Sequence, residues 1–150
     1  MRLDPLCEFE LRYTSEFVLV QPYGTEEGSG YGEGDGTVLG ERLNGTVRWV
    51  NHPRRRSDTA MLPDAHGVIT TEDGASVLFS LSGRTVWSED GSRGGQSLCV
   101  LFESEHQRYR WLNGQLCVLE GVIDPERLVM RARAYVCLNE LLGELDSIDP

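Results

Sequence analysis

The chain predicts an all-β fold, a small antiparallel β-barrel of roughly eight to ten strands. Three observations carry this: short β-prone runs recur at regular spacing, Asp73-Gly74 and Asn113-Gly114 sit between such runs, and no helix-period stretch is long enough for a parallel crossover. Closing the sheet into a barrel also removes the edges that an open sheet must protect.

The elements read in chain order. Cys7, Phe9, Leu11 and Tyr13 alternate with Glu8, Glu10 and Arg12, the pattern of a half-buried strand. Residues 17–20 form a second short run, which Pro22 ends. Residues 24–36 are rich in glycine and acid and read as a loop. Residues 39–50 resume strand character, with Leu43, Gly45, Val47 and Trp49 on one face; the glycine there marks a bulge or a close backbone approach. Residues 51–63 are irregular and hold Arg54-Arg55-Arg56. Residues 64–71 and 75–81 are strands joined through Asp73-Gly74. A polar, glycine-rich loop covers 88–96. Strands follow at 98–103, 109–112 and 115–122, the last two linked by Asn113-Gly114. Residues 128–138 alternate again, with Met130, Ala132, Ala134 and Val136 on one face. The expected organisation is one barrel domain over 1–138 and a tail or short helical turn over 139–150.

Composition excludes several functions. The net charge of -10 disfavours nucleic acid and an anionic membrane surface, since both need clustered cations, and it suits a neutral or weakly polar ligand. All 14 basic residues are arginine, which rules out Schiff-base chemistry and a phosphate-loop lysine. Cys7, Cys99, Cys117 and Cys137 form no C-x-x-C pair and read as core thiols. His52, His66 and His106 are scattered, and no G-x-S-x-G segment exists, so neither a metal site nor a serine hydrolase is expected. No cofactor is expected. The first residues lack the apolar run of a signal peptide, which makes the cytoplasm the default.

The candidate catalytic residues are Asp64 and His66. Two apart in a strand, they share a face, and a carboxylate beside an imidazole can exchange protons near neutral pH. A solvent-facing position is the competing reading. Tyr109 and Trp111 are candidate ligand-binding residues, as large rings with a polar tip suit a pocket wall as well as a core. Glu10 is a further candidate if the polar face of the first strand lines the lumen, Glu103 is one if the end of its apolar strand points into the barrel mouth rather than into solvent, and Asn113 is either a ligand contact or a turn residue. The arginine run reads as a solvated loop, or as a carboxylate-recruiting mouth.

The order of several segments resembles the bacterial and fungal family called domain of unknown function 3237. The resemblance rests on Glu8-Phe9-Glu10-Leu11, Gly36 and Gly40, Leu43-Asn44-Gly45-Thr46-Val47, Asp64-Ala65-His66, Asp73-Gly74-Ala75, and Tyr109-Arg110-Trp111-Leu112-Asn113, which is similar to the family's Y-x-W-L-N signature. It implies a small antiparallel barrel, like that of allene oxide cyclase or the calycins, and no settled activity; a homodimer is family habit. Two departures stand out. Trp49-Val50-Asn51-His52-Pro53 replaces a G-x-D-W segment, and Asp64-x-His66 replaces D-x-R. The function expected is small-molecule binding within the barrel. One form is a cofactor-independent isomerase, cyclase or lyase acting on an apolar or aromatic metabolite. The alternatives are a non-catalytic binding protein and a homo-oligomeric interaction module.

Overall fold

Alternation of apolar and polar side chains builds the wall of the molecule. In the computed structural model, which describes residues 1–141, the strands are β1 (Arg2–Tyr13), β2 (Val18–Val20), β3 (Gly28–Leu39), β4 (Gly45–Asn51), β5 (Arg54–Arg55), β6 (Met61–Leu62), β7 (Asp64–Thr71), β8 (Ser76–Trp87), β9 (Gly94–Glu103), β10 (Cys117–Asp124) and β11 (Val129–Leu138). Eight of them close a ring in the order β1, β11, β10, β9, β8, β7, β4, β3 and back to β1, every pairing antiparallel. The expected barrel is therefore present. Its three extra strands stand at one end: β2 pairs β3, and β5 and β6 bridge β3 to β8.

Residues that alternate inward form one continuous core, including Phe9, Leu11, Val47, Ile69, Val77, Phe79, Val100, Phe102, Leu119 and Ala134. In β1 the register slips between Pro5 and Cys7, so the consecutive residues Leu6 and Cys7 are both buried. Gly45 is a close approach: a Cβ there would lie 2.2 Å from the Thr70 carbonyl oxygen. Gly74, at φ +80°, closes the expected hairpin between β7 and β8. Cys7 and Cys117 are core thiols as expected, while Cys99 and Cys137 are partly exposed.

Several boundaries differ from the sequence reading. Residues 28–36, expected in a loop, belong to β3, a 12-residue strand that pairs on both sides. Its inner positions Gly28, Gly30, Gly32, Gly34 and Gly36 carry no side chain, so the apolar half of the alternation is invisible in the sequence. Residues 39–50 are not one strand: Leu39 ends β3 and β4 starts at Gly45. The loop expected over 88–96 stops at Arg93, because β8 runs on to Trp87 and β9 starts at Gly94. Residues 109–112 are not a strand, and Asn113-Gly114 is not a hairpin turn. Arg110–Gly114 is a 3-10 helix, held by Leu112 N–H donating to Tyr109 O and Gln115 N–H to Leu112 O, each at 3.0 Å. It stoppers one end of the barrel, with Leu112 and Leu43 wholly buried and Tyr109 nearly so. Residues 139–141 include a turn in which Asn139 Oδ1 accepts the Leu141 N–H. The remainder of the expected tail lies outside the described residues.

Among the described residues no helix is long and apolar enough to cross a membrane, and no group of three or more His, Cys, Asp or Glu side chains is placed to hold a metal ion.

Candidate functional site

The end opposite the 3-10 helix is open, and a cavity of about 580 Å³ enters the barrel there. Its lining comes from the rims of several barrel strands and from the extra strands β2, β5 and β6. The glycine stripe of β3 shapes one wall. Tyr13 and Trp49 both lie opposite Gly34, one on each neighbouring strand, and Phe17 covers Gly30 and Gly32. The rings meet edge to face, Tyr13 to Trp49 at 4.6 Å and Tyr13 to Phe17 at 5.3 Å between centroids. A Cβ on Gly32 would lie 2.5 Å from both the Phe17 and the Tyr13 ring, so any larger residue would displace the wall. Met61, Trp87, Ile123 and Leu128 continue the apolar lining.

The inward polar groups are few and neutral. Asn51, Thr85 and Gln96 are buried, and Tyr13 is half-buried beside them in the lining. Asn51 is committed on both sides: its Nδ2 donates to Tyr13 Oη at 3.4 Å, and its Oδ1 accepts the Asp64 backbone N–H at 3.1 Å. Burial pushes the Tyr13 phenol above its usual range, against a smaller opposing effect from Asn51, so the group keeps its proton. Gln96 Nε2 donates to Thr85 Oγ1 at 3.2 Å, while Gln96 Oε1 has no partner in the protein. At the rim Arg55 and Glu89 bring one charge of each sign. The arginine run is largely spoken for: Arg54 pairs with Glu27 at 3.0 Å and Arg56 with Asp58, leaving Arg55 on the Gln21 side-chain oxygen at 3.0 Å.

The residues singled out from sequence lie elsewhere. Asp64 and His66 do share a face, with Asp64 Oδ1 3.1 Å from His66 Nε2, but it is the outer face of β7; the inner positions are Ala65, Gly67, Ile69 and Thr71. Glu10 faces outward and meets Arg131 at 3.5 Å, and Glu103 is exposed at the end of β9. Tyr109 is buried at the stoppered end, where its hydroxyl donates to Asp73 Oδ1 at 3.1 Å. Trp111 no longer shares a face with Tyr109, because the helical turn rotates them apart; the Arg42 guanidinium stacks 4.8 Å from its ring. Asn113 clamps Ser104, accepting its N–H at 2.8 Å and donating to its carbonyl at 3.0 Å. None of the seven lines the cavity.

The cavity's own polar groups went unread for local reasons. Asn51 follows the last strand-like residue, and Gln96 falls in a glycine-rich segment. The usable signal was register: Gly94, Gln96, Leu98 and Val100 alternate, placing an amide at an inward position.

Known structures share this architecture. The chain is similar to a β-barrel-like protein from Acinetobacter baumannii, at 18% identity over 90% of this chain and 94% of that one, with a TM-score of 0.81. It is similar to a protein with unknown function from Clostridium acetobutylicum, at 15% identity over 92% and 100%, TM-score 0.81. A third likeness is to an enzyme from Penicillium herquei, at 20% identity over 89% and 97%, TM-score 0.62. At these identities the likeness is one of fold. No curated protein matches the chain in sequence. Residues 1–136 match the family model described as Protein of unknown function (DUF3237), in agreement with the resemblance read from the sequence, and the chain belongs to that family.

Proposed function

We propose that the open end of the barrel binds one neutral, largely apolar or aromatic small molecule. The observation that carries this reading is the contrast within the cavity: aromatic and aliphatic walls surround a deep group of neutral polar side chains. A volume of about 580 Å³ is within the usual range for a small-molecule site. The rim charges Arg55 and Glu89 offset one another, which favours a neutral occupant over an anion. N-phenylnaphthylamine, a neutral apolar fluorophore, tests it. Saturable one-to-one binding is expected, with energy transfer from Trp87 that the Trp87→Phe variant reduces. Absence of saturable binding, together with absence of any retained molecule in native mass spectra of protein from its host, would overturn it.

A second reading, cofactor-independent proton transfer, has the Tyr13 phenol behind it: a protonated group in the lining, supported by Asn51. The similar protein from Penicillium herquei, described as an enzyme, points the same way. In that reading Tyr13 touches the substrate, and the outward pair Asp64 and His66 does not. Tyr13→Phe should then abolish turnover of a bound substrate while leaving its affinity within about threefold, the cost of one neutral hydrogen bond; undiminished turnover would sink the role.

A further inference from the structure

Gln96 is the one buried side chain among the described residues with a polar atom left unpartnered. It is 8% exposed, lies on the inner face of β9 and lines the cavity. Its amide nitrogen donates one of its two protons to Thr85, and its carbonyl oxygen, over Gly121, has no partner. A Cβ on Gly121 would stand 3.3 Å from that oxygen, so the glycine leaves it room, but the oxygen lies just beneath the inner surface with almost none of its own area open. Asn51, by contrast, has both ends of its amide engaged. The Tyr13 hydroxyl accepts from Asn51 and the Thr85 hydroxyl accepts from Gln96, which leaves each with a proton to donate. The inner end of the cavity thus holds one unpaired acceptor, two hydroxyl protons and the second Gln96 N–H.

Buried in this way, the oxygen is scarcely reached by water in the empty cavity, so an occupant that reaches it and donates makes a bond that the empty site lacks. An occupant unable to donate leaves that carbonyl oxygen stranded, and the difference separates ligands otherwise equal in shape. A ketone or an ether could take protons from Tyr13 and Thr85 yet would leave Gln96 unpaired. A hydroxyl does both tasks. Resting on the cavity reading above, we propose that the site selects molecules whose inner end carries a hydroxyl donating to Gln96 Oε1, phenols and enols with a flat apolar body above all.

The test displaces N-phenylnaphthylamine with four probes of one skeleton: naphthalene, naphthol, methoxynaphthalene and acetonaphthone. Naphthol is expected to bind about ten- to hundredfold more tightly than methoxynaphthalene, the range set by one stranded buried acceptor. The gap should close in Gln96→Met, which keeps the length and removes the amide. If that variant does not fold, Tyr13→Phe takes its place, and the naphthol preference must survive there. Equal affinity for naphthol and methoxynaphthalene overturns the proposal and leaves the cavity reading standing. So does tighter binding of acetonaphthone, which would mean that the amide presents its nitrogen. A naphthol preference that persists in Gln96→Met also overturns it. Failure of N-phenylnaphthylamine itself to bind counts against the cavity reading instead.

Discussion

Tyr13 and Trp49 stand on strands that do not pair with each other, yet their ring centroids are 4.6 Å apart. The strand between them makes this contact by contributing nothing to it. Gly34 is the cross-strand partner of both residues, and without a side chain it lets the rings close over its backbone. The cavity wall is therefore a product of the glycine stripe as much as of the aromatics.

Gly34→Ala should damage this wall. The added Cβ would sit 2.0 Å from the Arg12 carbonyl oxygen and 2.9 Å from Trp49 Cε2, so backbone and ring must both shift. Overpacking of this kind costs about 1–3 kcal/mol, or roughly 2–10 °C in Tm for a chain of this size. The near-ultraviolet circular dichroism of Trp49 should weaken with it. Gly95→Ala is the control: only the Val86 carbonyl oxygen, at 3.8 Å, would meet its Cβ, and the Tm should stay within about 2 °C.

These residues also mark where the sequence was legible. β1 and β11 were readable because their inner positions are mainly hydrophobes and their outer positions largely polar, and β7, whose inner face mixes Ala65, Gly67, Ile69 and Thr71, was readable through the Asp73-Gly74 turn that ends it. β3 obeys the same alternation with glycine on its inner face, and a glycine-rich run looks like a loop until its partners are known. Tyr109 to Asn113 misled in the opposite sense: aromatic, β-prone residues next to an Asn-Gly pair resemble a hairpin, but the stoppered end needed Leu112 and Tyr109 turned inward from one helical turn. For Asp64 and His66 the spacing correctly placed both on one face. Which face that was depended on Ala65 and Ile69, whose inward packing across the barrel a local pattern cannot reveal.

The stoppered end should be acid-sensitive through Asp73. Hydrogen bonds from Thr71 first, then from Tyr109, the Ala75 backbone and Arg108, hold its carboxyl at about 2 against an ordinary 3.8. A folded-state pKa below the unfolded one means stability that is present above pH 3.8 and lost as pH falls toward 2. Asp73→Asn should lower Tm at neutral pH, and the wild-type and variant melting curves should converge as the pH approaches 2. A gap independent of pH would contradict the assignment.

Thiol reactivity should divide the cysteines into two pairs. Burial is the main cause pushing Cys7 up to about 12 and Cys117 up to about 11, so neither forms thiolate at mildly alkaline pH. Cys99 and Cys137 are partly exposed on the outer wall. A chromogenic disulfide reagent added to native protein should modify Cys99 and Cys137 first, and all four cysteines only after denaturation. Peptide mapping that finds Cys7 or Cys117 among the fast sites would show that the barrel opens far more readily than its packing implies.

The outward pair Asp64 and His66 gives the sharpest contrast with the cavity. Its side chains are each 62% exposed, and exposed ion pairs couple weakly to anything behind the sheet. The double variant Asp64→Asn, His66→Gln should therefore leave N-phenylnaphthylamine affinity within about twofold of wild type. Asn51→Leu should do more, because it strips the Tyr13 hydroxyl of its partner and leaves the Asp64 backbone N–H unpaired. The expected loss is about ten- to hundredfold in affinity, accompanied by a lower Tm. If instead the outer pair governs binding and Asn51 does not, the ligand sits on the wall of the barrel, across from Ser80 and Ser82 on β8.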